Sequence, residues 1–79
     1  MSQMKDLIEF IAKSIVDDPT QVEVEEQLER GRIRLILNVA DEDMGRVIGS
    51  KGRVANAMRA LLRVSAARRG TKAILDIQS

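Results

Sequence analysis

Two glycines with only two residues between them, in the segment Gly49-Ser50-Lys51-Gly52, have the residue types and spacing to bind an anion. The segment joins a short apolar run, residues 44–48, to a long helix-forming run that starts at Arg53, so the second helix must begin almost at once. The first N–H groups of a helix have no partner within it, and the helix dipole adds positive charge there. We therefore expect unpaired amides near Lys51, Gly52 and Arg53, which predicts a phosphate site.

Other glycine-rich phosphate motifs do not fit this segment. The loop of nucleotide hydrolases needs four residues between its first glycine and a Gly-Lys pair, whereas Gly45 and Gly49 are separated by three and Lys51 precedes Gly52. The dinucleotide fingerprint G-x-G-x-x-G after a strand is also absent. A bare tight turn between two helices has the same composition, so the glycines alone leave that alternative open.

Charge is distributed unevenly along the chain, although the formal net charge is only +1. Residues 1–43 hold five basic and eleven acidic side chains, whereas residues 44–79 hold eight basic side chains and one acidic one. This asymmetry favours a positive surface that attracts a polyanion, with acidic groups elsewhere limiting non-specific adsorption. The alternative is an arginine-rich helix surface that only keeps the protein soluble.

The composition excludes several kinds of chemistry. The 79 residues contain no Cys, His, Trp or Tyr, which rules out disulfides, thiol nucleophiles, Ser–His pairs and zinc knuckles. We expect one domain over residues 1–79, with no enzymatic activity, cofactor, metal site or small-molecule substrate. No apolar run approaches the ~20 residues that span a bilayer, and the charged start differs from a signal peptide. We therefore expect a cytoplasmic protein with no membrane insertion.

The positions of the apolar residues predict six elements around the loop. Three- and four-residue spacing indicates helices, and alternation indicates strands. In chain order we predict a helix capped by Ser2 over 4–16, strands over 20–29 and 32–39, a short helix over 44–48, a long helix over 53–69 and a strand over 71–77. The first two strands should pair as a hairpin through Arg30-Gly31, with a bulge near Glu26-Gln27-Leu28. The predicted fold class is α+β, a three-stranded sheet with helices on one face.

Two further features admit more than one interpretation. Phe10, the single aromatic residue, lies in the first helix, and we expect it in the core beside the apolar stripe. The acidic triplet Asp41-Glu42-Asp43 has the residue types of a metal site. Neighbouring side chains on a helix point apart, however, so we expect the triplet to cap the short helix instead.

The long helix has more apolar surface than packing on one sheet requires. Its apolar and small residues cover over half of its circumference, whereas a surface helix needs a stripe of about 100°. We therefore predict a second stripe that binds a partner, formed by Ala57, Ala60, Leu61, Val64 and Ala67. The alternative is that alanine is abundant here because it promotes helix formation.

The string Val47-Ile48-Gly49-Ser50-Lys51-Gly52, followed by apolar Val54, Met58, Leu61 and Leu62, resembles the G-x-x-G core of KH domains. KH domains hold about four backbone nucleotides of single-stranded RNA or DNA against that loop. The predicted element order matches the type II, prokaryotic arrangement, and the resemblance covers essentially the whole chain. With Gly45-Arg46-Val47-Ile48-Gly49 leading into the loop, the sequence is similar to the bacterial KhpA (YlqC-like) family.

This resemblance implies a single-stranded RNA-binding protein that acts as an RNA chaperone or post-transcriptional regulator. It also implies assembly as a homodimer or as a heterodimer with a KhpB partner, also called Jag, a pair tied in some bacteria to cell elongation and envelope homeostasis. The expected RNA-binding residues are the loop, an apolar groove wall before it and the exposed positions that flank it: Arg46, Val47, Ile48, Gly49, Ser50, Lys51, Gly52, Arg53, Asn56 and Arg59. The alternative is a KH-fold module that assembles with proteins through its long helix and has little direct RNA contact.

The near absence of aromatic residues bears on how such a protein would bind. Base stacking on aromatic rings is worth ~1–3 kcal/mol per base, so its loss predicts weak, sequence-tolerant affinity. Folds that stack bases on sheet aromatics, such as the RRM, are excluded. The resemblance further implies that Arg30-Gly31 is the family's variable loop, whose shortness would leave the second wall of the groove small.

Overall fold

Three α-helices and three β-strands follow one another along residues 3–79, the part of the chain that the computed structural model describes. In chain order they are α1 (Gln3–Ile15), β1 (Glu23–Glu29), β2 (Arg32–Asn38), α2 (Met44–Ile48), α3 (Arg53–Arg68) and β3 (Ala73–Gln78). Single 3-10 turns at Pro19–Gln21, Asp41–Asp43 and Ser50–Gly52 precede β1, α2 and α3. The predicted order is confirmed, and the proposed cap Ser2 lies outside the described residues.

The sheet has the order β1-β2-β3, with β1 antiparallel to β2 and β2 parallel to β3. The predicted hairpin is confirmed, and its pairing runs without interruption from Glu23 opposite Asn38 to Glu29 opposite Arg32. The predicted bulge at Glu26-Gln27-Leu28 is therefore wrong. The alternation fades there because β1 is an edge strand whose residues beyond Val24 are left uncovered by the helices.

α1 and α3 pack side by side against one face of this sheet, as predicted for the fold class, and α2 packs against both of these helices. Alternate strand residues meet one side of α1 and one side of α3, and the large, fully buried side chains include Met4, Ile8, Leu35, Leu37, Met58 and Leu62. Burial at positions four residues apart, such as Met58, Leu62 and Ala66, places α3 directly over β3. No helix of the described chain combines the length and apolar character that would let it cross a bilayer.

Phe10 is not part of this core, so its predicted burial is wrong. Its side chain is 72% exposed. The buried positions of α1 are Met4, Ile8 and Ala12, and at 100° per residue Phe10 lies about 160° around the helix from Ile8. Hydrophobic character suggested burial, but the helical period puts this ring on the solvent side.

The acidic triplet before α2 has a structural role that neither capping nor metal binding describes. Asp43 is fully buried, and its two carboxylate oxygens accept hydrogen bonds from the backbone N–H groups of Asp17 (3.0 Å) and Asp18 (3.1 Å). Asp43 makes no side-chain capping bond to α2. Residues 3–79 contain no cluster of three or more candidate ligand side chains that could hold a metal ion. Asp43 therefore ties the start of α2 to the chain that leaves α1.

Candidate nucleic-acid interface

Three of the four residues in the loop Gly49–Gly52, which joins α2 to α3, have positive φ. Gly49 has φ 78° and ψ 170°, Lys51 has φ 57° and ψ 25°, and Gly52 has φ 76° and ψ 14°. Lys51 is the one non-glycine residue with positive φ in the described part of the chain. Left-handed backbone costs an L-residue about 1–2 kcal/mol, so the tip of this loop is held in place by its surroundings.

The two glycines of the loop are required for different reasons. A Cβ on Gly49 would lie 2.9 Å from the backbone nitrogen of Val54, too close for any side chain. A Cβ on Gly52 would meet Asn56 at an ordinary 3.7 Å, so only the backbone conformation favours glycine there. Gly49 thus lets α3 start against the end of α2, and Gly52 lets the chain enter α3.

Two of the three amides expected to be unpaired are in fact bonded within the loop. The N–H of Gly52 donates to the carbonyl of Gly49 (3.1 Å), and the N–H of Arg53 donates to the carbonyl of Ser50. The 3-10 turn that leads into α3 uses these donors, which is why the prediction for Gly52 and Arg53 was wrong. In residues 3–79 the N–H groups of Ser50 and Lys51 make no such backbone bond. The available donors therefore lie at the loop tip, one or two residues earlier than predicted.

The cations around the loop fall into two groups. Lys51 and Arg53 are exposed and take part in none of the ion pairs found within residues 3–79. Arg46 instead lies 3.1 Å from the carboxylate of Asp17 and 3.8 Å from that of Asp43. An anion at the loop would thus meet the uncompensated charges of Lys51 and Arg53, whereas the charge of Arg46 is already paired with Asp17 and Asp43.

Val47 and Ile48, the expected groove wall, are separated by the structure. Val47 is fully buried in the core, where it supports the loop from below and cannot touch a ligand. Ile48 is 39% exposed at the end of α2. A short helix directs adjacent side chains about 100° apart, so only one of the pair can face outward.

A groove runs beside α3 on the side that carries Asn56 and Arg59. It lies between α3 and β3, has a volume of about 220 Å³, and is lined in part by Arg59, Leu62 and Leu75. The guanidinium of Arg59 crosses it and donates from Nη2 to the carbonyl of Leu75 at 3.3 Å. Because β3 is an edge strand, it forms the second wall of this groove.

The hairpin turn Arg30-Gly31 does not supply that wall. The turn lies next to the start of β3, because Ile33 pairs with Ala73. Since α3 begins at the loop and ends shortly before β3 starts, the turn and the loop lie near opposite ends of α3. The 16 residues of α3 span about 24 Å at 1.5 Å per residue, which separates this turn from Gly49–Gly52. Sequence order alone could not reveal this, because it depends on the parallel pairing of β2 with β3.

The predicted partner stripe on α3 is exposed, and at 100° per residue its five members lie within about 120° of the helix circumference. Leu61 and Val64 are 49% and 55% exposed, and they line a depression between α3 and the start of α1. Ala57 and Ala60 are exposed as well. Ala67 is exposed too, about 20° around the helix from Ala60, and it also lines a depression on the β3 side. Sequence reasoning missed Ala55 and Ala66, two small residues of α3 that are buried on its inner side.

Known proteins resemble this chain over nearly its whole length. A family model described as the KhpA/KhpB KH domain matches residues 5–77. A Clostridium perfringens protein named RNA-binding protein KhpA is 46% identical over 74 residues, which cover 94% of this chain and 99% of that protein. Proteins of the same name from Treponema pallidum and Aquifex aeolicus are 44% identical over 73 residues and 35% identical over 77 residues. The first alignment covers 92% of this chain and 91% of the relative, and the second covers 98% of each.

Proposed function

Because the chain belongs to the KhpA/KhpB KH-domain family, we propose that it binds single-stranded RNA with the loop Gly49–Gly52 against the phosphate backbone. The observation that carries this proposal is the loop tip. There the N–H groups of Ser50 and Lys51 are left without a backbone acceptor in the described chain, beside the uncompensated charges of Lys51 and Arg53. Consecutive N–H groups in such a turn form a concave site for an anion.

The groove between α3 and β3 continues the proposed binding surface from the loop. Arg59 lies on its α3 side, Asn56 lies about one helical turn closer to the loop, and Ile48 is exposed at the end of α2. Four of the five guanidinium N–H donors of Arg59 remain beyond its bond to Leu75, so Arg59 can bind phosphate or a base edge. Since no aromatic ring lies in this groove, we expect weak affinity with little base preference.

We also propose that the exposed part of the α3 stripe binds a second protein, either a copy of this chain or a KhpB-type partner. Leu61 and Val64 are large apolar side chains left about half exposed, with Ala57 and Ala60 beside them. Small residues allow another helix to approach closely. Two linked loops would raise the avidity for one RNA, which offsets the weak binding of a single domain.

The proposed cellular role follows from the family alone. We propose a cytoplasmic RNA chaperone or post-transcriptional regulator that acts with a KhpB/Jag-type partner in cell elongation and envelope homeostasis. No catalytic step belongs to this proposal. A protein–protein module without RNA contact is the second candidate, and the exposed α3 stripe is the feature that favours it.

Replacing both Ser50 and Lys51 by Asp tests the RNA proposal and separates these two candidates. Both side chains are exposed, so the change places negative charge at the loop tip without altering the core. We expect the gel-shift affinity for short single-stranded RNA to collapse while assembly through α3 persists. Unchanged RNA affinity in a folded Ser50→Asp/Lys51→Asp variant would reject the loop and favour the protein–protein module.

A further inference from the structure

The groove beside α3 does not end where the residues assigned to the proposed site end. A second depression, of about 440 Å³, continues from it toward the C-terminal end of α3. The two share Arg63, Ala73 and Ile74 in their lining, so they form one channel along α3 and β3. We call the second part the distal groove; Arg32 and Thr71 complete its lining beside Arg63, Ala66, Ala67, Lys72, Ala73 and Ile74.

The distal groove has an apolar floor and a cationic rim. Its floor is formed by small or aliphatic side chains, mainly Ala66, Ala67 and Ile74. Arg63 and Lys72 stand at its rim, are exposed, and take part in no ion pair seen within residues 3–79. Arg32, the third cation of the lining, is already held by Glu29 at 2.8 Å. An apolar floor with two unpaired cations at its rim fits a polymer in which anionic groups alternate with flat, apolar ones.

The distal groove is also in line with the loop. Asn56, Arg59 and Arg63 are three and four residues apart, so they form a single row along α3. Asn56 and Ala67 are eleven residues apart, or about 16 Å along the helix axis. A strand that leaves the loop tip beside Asn56 and follows this row passes Arg59 and reaches the distal groove.

We propose that the distal groove binds the part of the RNA strand beyond the about four nucleotides that the loop holds. Arg63 and Lys72 contact its phosphates, and the aliphatic floor packs against its bases. This inference rests on the proposed function, and it makes the binding site longer than a four-nucleotide KH contact. Charge complementarity and continuity with the loop favour RNA over a peptide as the occupant.

Two variants with equal loss of charge test this proposal. Arg63→Gln/Lys72→Gln removes the cations of the distal groove, and Arg68→Gln/Arg69→Gln removes two from the other side of the end of α3, beside Leu61 and Val64. Binding of fluorescein-labelled tetrauridylate and octauridylate is measured by anisotropy at about 50 and 200 mM salt. Each lost phosphate contact lowers the slope of log affinity against log salt by about 0.7. Raising the salt from about 50 to 200 mM weakens octauridylate binding by some factor in each protein. Because two phosphate contacts are lost, that factor should be about seven times larger for the wild type than for Arg63→Gln/Lys72→Gln.

The expected pattern is that Arg63→Gln/Lys72→Gln weakens octauridylate binding, leaves tetrauridylate binding unchanged, and differs from Arg68→Gln/Arg69→Gln. If the two double variants weaken octauridylate binding equally, net charge alone explains the loss, and the proposal that RNA binds in the distal groove is overturned. An octauridylate that stays tighter than tetrauridylate in both variants would overturn it too, because the RNA then reaches a second loop instead. A change of oligomeric state in Arg63→Gln/Lys72→Gln alone would assign the groove to a protein. Failure of the proposed function is distinguishable, since it appears as full RNA binding by Ser50→Asp/Lys51→Asp.

Discussion

Gly49 and Val54 contact each other across the loop so closely that a Cβ on Gly49 would lie 2.5 Å from Cγ2 of Val54. Gly49→Ala should therefore destabilise the fold in two ways. The backbone at φ 78° and ψ 170° is adopted almost exclusively by glycine, and forcing another residue into it costs about 1–3 kcal/mol. The clash with Val54 adds to this cost. Urea unfolding should show a midpoint well below that of the wild type.

Gly52→Asn is the matched control for that variant. Gly52 also has a positive φ, but a Cβ there meets no atom closer than 3.7 Å, and Asn tolerates left-handed backbone better than other residues. The expected loss of stability is under about 1 kcal/mol. If Gly49→Ala and Gly52→Asn cost the same, close packing of Gly49 on Val54 is not what the loop depends on.

Asp43→Asn should destabilise the protein although it is nearly isosteric. The carboxylate of Asp43 accepts two backbone N–H bonds, from Asp17 and Asp18, whereas an amide offers one oxygen and opposes an N–H with its own NH₂ group. Charge-assisted hydrogen bonds contribute about 1.5–3 kcal/mol, so a loss of this order is expected in urea unfolding. Asp41→Asn, an exposed change in the same triplet, should stay within about 0.5 kcal/mol. Equal stability of both variants would contradict the anchoring role.

Glu29 should make the stability of the sheet depend on pH. Hydrogen bonds from Arg34 and Arg32 hold the pKa of Glu29 below its ordinary value. The folded state therefore favours the ionised carboxylate, and its contribution is present above the unfolded pKa and lost as pH falls through the folded pKa. The stability advantage of the wild type over Glu29→Gln should shrink between about pH 6 and about pH 3 in thermal unfolding. Glu23→Gln, on the same strand and outside the ion pairs of the described chain, should show no such trend.

Ala60→Glu should convert an assembled protein into monomers. Ala60 is an exposed small residue beside Leu61 and Val64, and a buried glutamate without a partner would oppose helix contact there. Sedimentation velocity gives the oligomeric state directly. Gln27→Glu adds the same charge to an exposed position of the edge strand β1, away from α3, so it should leave assembly intact. If the dimer persists in Ala60→Glu, the α3 stripe is excluded as the assembly interface.

The order of the elements could be predicted from the sequence because each element carries its own local pattern. Alternation at Ile33, Leu35 and Leu37 predicted the strand β2, and apolar residues at three- and four-residue spacing predicted the helices α1 and α3. The parallel pairing of β2 with β3 has no such local signal. It depends on α3 crossing back over the sheet, and it is what makes β3 the second wall of the groove.

In the candidate site, too, the features with a local sequence signal could be predicted, and those that depend on distant residues could not. The spacing of Gly49 and Gly52 indicated a tight junction, but which amides are bonded depends on the 3-10 turn that precedes α3. The sequence could not predict the role of Asp43, because its partners are backbone groups far away in sequence. Arg46 has the charge for RNA binding, yet only the fold reveals its neighbour Asp17.

Binding of RNA at the loop tip is tested most directly by the chemical shifts of the backbone amides. ¹⁵N-labelled protein is titrated with octauridylate at low salt, and the amide resonances of residues 3–79 are followed. We expect the largest shifts at Ser50 and Lys51, smaller ones at Gly49 and Arg53, and reversal of all of them on adding salt. Shifts confined to other surfaces, with Ser50 and Lys51 unmoved at saturating RNA, would contradict it.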